Sequence, residues 1–244
     1  TTPYDIDAIN LLDVHLPAYK IGSGDITFEE IILEIAKRNK PIFLASGASD
    51  ASDVRKAVDL ILNHNSQLCL MQCNTNYTGS VENFKYVNLN VIRQFAITWP
   101  NMVLGLSDHT PGHSAVLGAV ALGARVIEKH FTDDNDRIGP DHKFALNPQT
   151  WREMVGATRE LEFSLGDGIK KVEKNEEETV IIQRRALRAT RELSEGEILE
   201  FSDLEALRPC PPGAISPMYV KKVIGKKLTQ TLKSGEHLKW DSFE

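Results

Sequence analysis

Short apolar segments alternate with stretches of helical periodicity through most of the chain. The apolar segments are 18–22, 41–45, 68–72, 102–106 and 125–129. Apolar residues recur at helical spacing from Thr27 to Lys40, behind an apparent Thr27-Phe28-Glu29-Glu30 capping box, and again from Asp50 to Asn63. This pattern predicts βα units of about 30 residues and therefore a parallel sheet covered by helices.

Polar residues follow each predicted strand at or just beyond its carboxyl end. They are Lys20 and Ser23, Ser46, 73–77, 107–109 and 128–130. Parallel strands occur in open doubly wound sheets and in barrels, but in a barrel the carboxyl ends of all strands meet at one rim, which carries the active site. Five strands that each bring polar groups to one rim favour an α/β fold of the (β/α)8 TIM barrel type over the open sheet.

A second, smaller domain is predicted at the C-terminal end. A helix is expected from 147–150 to about Leu165, ending at 166–168, and the charged segment 169–183 is typical of a solvated linker. From Arg184 the chain changes to short β-like pieces and turns. The predicted organisation is therefore a barrel segment (1–168), a linker (169–183) and a small β-rich domain (184–244).

Composition and charge narrow the function classes. The 244 residues are 41% hydrophobic and 25% charged, which is typical of a globular chain, and no apolar run approaches the ~20 residues of a membrane span. No signal peptide is visible, so a cytoplasmic protein is expected. The net charge is −6, with −8 in 1–183 and +2 in 184–244, and the acidic body argues against a nucleic-acid partner. Three cysteines do not suggest a disulfide framework.

His109 and His130 stand at the ends of consecutive predicted strands. Because neighbouring strands lie roughly 5 Å apart, the two imidazoles could share one divalent ion whose open positions are filled by water. The alternative is a pair of hydrogen-bonded histidines on a polar rim. Asp108 and Glu128 are expected either to orient the imidazoles or to be buried acids paired with Lys or Arg.

Candidate anion-binding groups lie on the same predicted rim. Lys20 offers a cation beside Ser23, a hydroxyl flanked by glycines that expose backbone amides, and this combination suits a phosphate or carboxylate. Ser46 precedes a helix N-terminus, another site that favours anions, and Ser107 adds a third hydroxyl. The alternative for each is a turn with a capping hydroxyl.

Two loops and two cysteines complete the candidates. The polar loop 74–80 suits a polyhydroxylated ligand or is a plain surface loop. The loop 133–142 superficially resembles a calcium site, but its Gly and terminal Glu are misplaced, so we expect an ordered lid in which Asp141 contacts sugar hydroxyls. Cys69 and Cys73 lack a second pair for zinc and are predicted to be core thiols.

Four ordered motifs, 17–25, 105–110, 128–133 and 139–141, together with the C-terminal module, resemble the sialic acid synthase family. That family comprises N-acetylneuraminate synthases and their legionaminate and pseudaminate relatives. The resemblance implies a TIM barrel followed by an antifreeze-like SAF domain. It also implies a domain-swapped homodimer in which each small domain caps the barrel of the other protomer.

The resemblance further implies an activity: condensation of phosphoenolpyruvate with N-acetylmannosamine, or a related amino sugar, and water, giving N-acetylneuraminate or a related nonulosonate and phosphate. It implies Mn2+, or Mg2+ or Co2+, as the metal. By the same resemblance, His109 and His130 would bind the metal, Asp25 would transfer a proton or place water, and Tyr77 and Asp141 would contact the sugar. Phosphoenolpyruvate would be held by Thr2, Lys20, Ser23, Ser46, Ser107 and one of Asn74 and Thr75. Arg185, or Arg184 in the alternative register, would reach the acyl-amino group across the dimer.

The chain departs from the family at its start. Members begin with about three βα units, carrying a metal-side Glu and a phosphoenolpyruvate-binding Lys, before the Thr-Pro step that here is Thr2-Pro3, and the first residue is Thr1 rather than Met. Five strands cannot close an eight-stranded barrel, so we expect the 244-residue polypeptide alone to show no synthase activity. Two other functions stay open: a metal-dependent barrel aldolase or hydrolase, and a non-catalytic carbohydrate-binding or dimerisation module.

Overall fold

The computed structural model describes residues 1–244, which form two compact units. Five parallel strands form the sheet of the first unit. The units are Thr1–Asp167 and Gly168–Glu244. The strands of the first unit are β1 (Tyr19–Ile21), β2 (Ile42–Ala45), β3 (Leu68–Cys73), β4 (Val103–Asp108) and β5 (Val126–Lys129). Its helices are α1 (Ile6–Leu12), α2 (Glu29–Ala36), α3 (Ala51–Leu62), α4 (Asn90–Thr98), α5 (Ser114–Ala121) and α6 (Pro148–Leu165), with 3-10 turns at Asp13–His15, Ser23–Asp25 and Val81–Tyr86.

The five strands pair in chain order, β1-β2-β3-β4-β5, and every pair is parallel. Each connection between consecutive strands contains a helix, as the alternation of apolar and helical segments predicts. This is the arrangement of consecutive βα units in a (β/α)8 barrel. β1 and β5 are the two edges of the sheet.

Local sequence explains where two of these helices begin. α3 is capped by a capping box, in which the Asp50 carboxylate accepts hydrogen bonds from the amides of Ser52 (2.7 Å) and Asp53 (3.0 Å). The box predicted at the start of α2 is wrong: Phe28 is the N-cap and makes no side-chain cap. α2 instead begins with Glu29 and Glu30, whose charges favour the positive end of the helix dipole.

The residues of each strand alternate between two faces of the sheet. Alternate strand residues such as Ile21, Leu44, Leu70 and Leu106 are fully or almost fully buried in a core shared with the helices. Because successive strand residues point to opposite faces, Lys20 and its counterparts on the other strands lie on the face away from that core. Lys20, Ser107 and Glu128 lie on that face together with the apolar Phe43 and Cys69, whereas Asp108 points to the opposite side with Leu106.

α6 matches its prediction closely. It begins at Pro148 behind a capping box between Asn147 and Thr150 and ends at Leu165, before Gly166 with φ 60°. At 18 residues it is longer than the other helices. No helix of the chain is both long and apolar enough to cross a bilayer.

The second unit is β-rich with short elements. β6 (Ala186–Ala189) and β7 (Leu204–Leu207) form an antiparallel pair. Isolated bridges such as Leu193↔Leu232 link other parts of the unit, whose core contains Leu199 and Leu238. It also contains α8 (Val220–Val223) and 3-10 turns at Phe201–Asp203, Pro217–Tyr219 and Trp240–Ser242. The segment predicted as a linker holds a 3-10 turn at Lys174–Glu176 and a helix, α7 (Glu177–Gln183).

A charged group at the amino-terminal ends of β1 and β2 predicts sensitivity to acid. Asp13 accepts a hydrogen bond from the buried Tyr19 hydroxyl (2.7 Å) and lies 2.9 Å from the Lys40 ammonium. The hydrogen bonds from Lys40 and Tyr19 lower the pKa of Asp13 below its usual 3.8, and burial followed by the Asp13 contact raises the pKa of Tyr19 to about 12. Since the carboxylate is favoured in the folded state, its contribution is present above the unfolded pKa and is lost as the pH falls.

We therefore expect Asp13→Asn to lower the free energy of unfolding at neutral pH, with a smaller difference from the unsubstituted protein near pH ~3. Urea unfolding at both pH values measures it. A difference that stays constant on acidification would contradict the expectation.

Candidate active site

A polar cavity of about 430 Å³ lies at the carboxyl ends of the strands. The wall is formed by β1, β4 and β5, by loops that follow strands, and by Thr2 and Tyr4 of the N-terminal segment. The lining residues are Thr2, Tyr4, Lys20, Gly22, Ser23, Tyr77, Ser107, Asp108, His109, Glu128, Lys129, His130 and Asp141. The structure thus brings together most of the residues that the sequence proposes for one rim.

The imidazole rings of His109 and His130 lie next to each other in the wall of this cavity. Their ring centroids are 5.1 Å apart, and the Tyr77 ring packs edge-on against both, at 4.5 Å from His109 and 5.6 Å from His130. Nδ1 of His109 lies 3.0 Å from the Asn74 carbonyl oxygen, and Nδ1 of His130 lies 3.4 Å from Oδ2 of Asp141. Each imidazole is therefore held through one nitrogen, which leaves Nε2 as the other ring atom able to bind a ligand.

The same surroundings shift the pKa values of the two rings in opposite directions. Burial acts to lower the pKa of His109, but the Cys73 thiol, the Asn74 carbonyl and Asp108 together raise it above its ordinary value. For His130, burial and the neighbouring His109 charge outweigh Asp141 and Glu128 and lower the pKa. His130 is therefore the ring that stays neutral more readily.

The residues present fit a divalent ion only with help from other ligands. Two imidazoles bound to one tetrahedral ion have ring centroids roughly 5 Å apart, which agrees with the 5.1 Å observed. Carbonyl and carboxylate partners on Nδ1 are typical of ligating histidines. No cluster of three or more His, Cys, Asp or Glu side chains has the geometry of a metal site. Water or substrate would have to complete the coordination.

A salt bridge reaches from one edge strand to the other. The Lys20 ammonium on β1 lies 3.0 Å from Oε2 of Glu128 on β5, with the two side chains 15% and 45% exposed. The sequence predicted the cation but not its partner. The interpretation of Glu128 as a buried acid paired with Lys or Arg is correct in the pairing, with Lys20, but wrong in the burial, because the side chain is half-exposed.

A second ion pair is fully buried. The Lys129 ammonium lies 2.6 Å from Oδ2 of Asp108, and their side chains are 2% and 1% exposed. This confirms one of the two interpretations of Asp108, a buried acid paired with a cation. Lys129 was missed, because its position in a strand carries no signal that a lysine there is buried.

Hydroxyl and thiol groups cluster around Gly47, beside the cavity. Oγ of Ser23 accepts a hydrogen bond from the Gly47 amide (3.0 Å), and Sγ of Cys73 lies 3.4 Å from Oγ1 of Thr75 and 3.9 Å from Nδ1 of His109. Cys69 is the core thiol that the sequence predicted, and burial raises its pKa to about 12. Cys73 is buried too, but it contacts His109 and so belongs to the site.

This cluster predicts that Gly47→Ala damages the site. A Cβ on Gly47 would overlap Oγ1 of Thr75 and lie 2.7 Å from Oγ of Ser23 and 3.0 Å from Sγ of Cys73. Such overpacking costs about 1–3 kcal/mol, and if this cost falls on the binding free energy of an anion in the site, we expect that anion to bind about tenfold or more weakly. Isothermal titration measures the affinity. Gly156→Ala in α6 is the control, since a Cβ there meets nothing within 4 Å and Gly156 is outside the cavity lining; equal affinities in both variants would contradict the prediction.

The first unit and the second match different family models. Residues 1–170 match the model of the NeuB family, and residues 184–244 match that of the SAF domain. The chain belongs to the NeuB family.

Curated relatives of this NeuB chain are named for related products. It is 35% identical to N,N'-diacetyllegionaminic acid synthase of Campylobacter jejuni over 97% of this chain and 70% of the relative. It is 32% identical to the Legionella pneumophila protein of the same name (100% and 68%) and 28% identical to human N-acetylneuraminate-9-phosphate synthase (93% and 62%). The chain is thus a member of a family of nonulosonate synthases.

Solved structures agree on the fold of this NeuB chain. A sialic acid synthetase from Leptospira borgpetersenii, 28% identical, superposes with a TM-score of 0.67 over 73% of this chain and 62% of that one. A spore coat polysaccharide biosynthesis protein E from Chromobacterium violaceum, 24% identical, superposes with a TM-score of 0.75 over 100% and 72%. The fold is therefore α/β: part of a TIM barrel followed by a SAF domain.

Several predicted residues flank the cavity of the NeuB unit rather than line it. Ser46 is buried, and its hydroxyl donates to the Met71 carbonyl (3.0 Å). The Asn74 carbonyl contacts His109, and the Thr75 hydroxyl contacts Cys73. The Asp25 carboxylate lies beside Gly22. Arg185 lies in the SAF unit, where its exposed guanidinium donates to the Ala206 carbonyl (2.6 Å).

The loop that carries Asp141 is held by internal hydrogen bonds. The Asn135 side-chain amide donates to the carbonyls of His142 (2.7 Å) and Ala145 (2.9 Å), and the Thr132 hydroxyl lies 2.7 Å from Nδ1 of His142. The loop therefore has a defined conformation that places Asp141 beside His130. The prediction that it acts as a lid stays a prediction.

Proposed function

We propose that this site condenses phosphoenolpyruvate with the open-chain form of N-acetylmannosamine or a related amino sugar and water, giving a nonulosonate such as N-acetylneuraminate and phosphate. The observation that carries the proposal is that one cavity joins the paired imidazoles of His109 and His130 to the Lys20 ammonium and the Ser23 and Ser107 hydroxyls. The products named for the relatives support the same reaction class.

The phosphoenolpyruvate half of the site would use charge and hydroxyls. Lys20 would hold the anion together with Thr2, Ser23 and Ser107, while Ser46 and Asn74 or Thr75 would support the adjoining wall. Since Lys20 now pairs with Glu128, an incoming anion would compete for the ammonium. Tyr77 and Asp141 would contact the sugar beside the imidazoles.

The bond changes proposed for the condensation balance without a redox partner. The enol carbon of phosphoenolpyruvate attacks the sugar aldehyde, water adds at the adjoining carbon, and the tetrahedral intermediate expels phosphate with cleavage of its C–O bond. A divalent ion on His109 and His130, with Mn2+ proposed and Mg2+ or Co2+ as alternatives, would polarise the aldehyde when bound. Asp25 would hold or place the water, and the cavity would supply orientation.

Phosphoenolpyruvate binding to the 244-residue chain tests the proposal first. Isothermal titration should show saturable binding that is lost in Lys20→Met. Lys40→Met is the matched control, because Lys40 pairs with Asp13 away from the cavity. A folded protein that binds phosphoenolpyruvate neither by itself nor when fused to the part of the Campylobacter relative that it does not match would exclude the proposal. Sugar binding without it would favour a carbohydrate-binding module.

Turnover needs a separate assay, because a sheet with two open edges is not a closed barrel. We expect no phosphate release above background from the 244-residue chain with phosphoenolpyruvate, Mn2+ and N-acetylmannosamine. The assay is then repeated with this chain fused to the part of the Campylobacter relative that it does not match, using 2-acetamido and 2,4-diacetamido sugars. Mass spectrometry should detect a 2-keto acid product; cleavage or hydrolysis products without phosphoenolpyruvate would favour an aldolase or hydrolase.

The homodimer implied by the family resemblance stays part of the proposal. Light scattering coupled to size exclusion measures the mass of the particle. A mass of twice 27.2 kDa is expected, and a monomer at all concentrations would contradict it.

A further inference from the structure

The strand pairing alone does not set the separation of the two imidazoles. The paired register of β4 and β5 ends at Asp108↔Lys129, so His109 and His130 each lie one residue beyond the last paired position. At that point each chain continues into its own loop. Some other contact must hold the two loops at a defined distance.

Lys129 supplies such a contact, because its ammonium bonds on both sides of His109. It lies 2.6 Å from Oδ2 of Asp108 and donates to the Thr110 carbonyl at 2.6 Å. The Asp108 carboxylate in turn accepts hydrogen bonds from the Thr110 amide (3.0 Å) and hydroxyl (2.9 Å). The residue before His130 therefore clamps the residues before and after His109.

This clamp is rigid as well as connected. The side chains of Lys129 and Asp108 are 2% and 1% exposed, and Thr110 is buried. All four bonds are made away from bulk water, where charge-assisted hydrogen bonds are strong, and breaking one of them would leave a buried polar group unpaired. Other contacts, such as that of His109 with Asn74, tie an imidazole to a different element.

We propose that Asp108 and Lys129 are positioning residues that set the distance and orientation of the two imidazoles, and through them the affinity of the site for a divalent cation. The inference rests on the metal assignment of the proposed function. It extends that assignment to a pair of residues which does not touch the ion. Loss of the partners of metal ligands typically weakens metal affinity about 10- to 100-fold.

The decisive variant is the double substitution Asp108→Asn/Lys129→Met in the 244-residue chain. It removes both charges together, so no buried charge is left without its partner, and the fold is expected to persist. Titration with Mn2+, followed by the electron paramagnetic resonance of the free ion, should show affinity about 10- to 100-fold weaker. Asp13→Asn/Lys40→Met is the matched control, since it removes a charged pair outside the cavity and should leave Mn2+ affinity unchanged.

The outcomes distinguish the positioning role of Asp108 and Lys129 from the proposed metal site itself. Unchanged Mn2+ affinity in the folded double variant would overturn the positioning role while leaving the metal assignment intact. Absence of Mn2+ binding by the unsubstituted protein would overturn both.

If circular dichroism shows the double variant unfolded, Thr110→Val is the deciding variant. It keeps both charges but removes the hydroxyl bond to Asp108, and it should also weaken Mn2+ binding. Unchanged affinity there would overturn the inference.

Discussion

Replacing His109 or His130 with alanine is expected to weaken Mn2+ binding at least about 100-fold, because the loss of a ligand should exceed the 10- to 100-fold effect of losing a ligand's partner. The protein offers two imidazoles and no cluster of three metal-binding side chains, so it has no spare ligand to compensate. In the fusion with the part of the Campylobacter relative that this chain does not match, either substitution should lower turnover about 10³-fold. A metal ion is worth several kcal/mol of transition-state stabilisation.

The measurement is the same Mn2+ titration, with product formation as the second readout. His15→Ala is the control, because His15 is exposed and lies in the turn that precedes β1, away from the cavity lining. If either active-site variant bound Mn2+ like the unsubstituted protein, the imidazoles would not be the metal ligands. The rim would then be better described as a pair of hydrogen-bonded histidines.

The second large effect is on stability, from breaking the buried ion pair one residue at a time. Asp108→Asn is expected to cost about 3–5 kcal/mol of unfolding free energy, because it leaves the Lys129 ammonium buried beside a neutral amide. Lys129→Met should cost less, since the Asp108 carboxylate keeps the amide and hydroxyl of Thr110 as donors. For a unit of this size, the larger loss corresponds to a melting temperature lowered by roughly 10 °C.

Thermal and urea unfolding of both single variants and the double variant test this ordering. The double variant should be more stable than Asp108→Asn, because no charge is left uncompensated in the interior. The exposed pair Arg137 and Asp133 provides the comparison: Asp133→Asn should leave the free energy of unfolding almost unchanged, because solvent screens an exposed pair. Equal losses at the two sites would show that burial does not control the cost.

The parts of this fold that follow from local periodicity were predictable. Strand–helix alternation, the start of α6 at Asn147-Pro148 and the gathering of polar residues at one rim all depend on residues close together in the chain. The α2 capping box failed because Thr27 has the right residue type but Phe28 occupies the N-cap. Residue type alone does not determine backbone conformation at a helix start.

The contacts that connect the rim were harder to predict, because they join distant segments. Lys20 and Glu128 lie on the two edge strands, and nothing in either local pattern indicates the other as a partner. Cys73 ends a mostly apolar strand, and the pairing of β3 with β4 at Cys73↔Ser107 brings its thiol within 3.9 Å of Nδ1 of His109. Such partners emerge only once the register of the sheet is known.

The two edge strands of the sheet differ in how far their outer sides are open to another chain. β1 and β5 are short, three and four residues. The Lys20 amide on the outer side of β1 donates to the Thr1 carbonyl (2.9 Å), whereas no neighbouring strand of the sheet pairs with the outer side of β5. Short edge strands are poor templates for pairing with other chains, so a strand from another polypeptide would add along β5 rather than along β1.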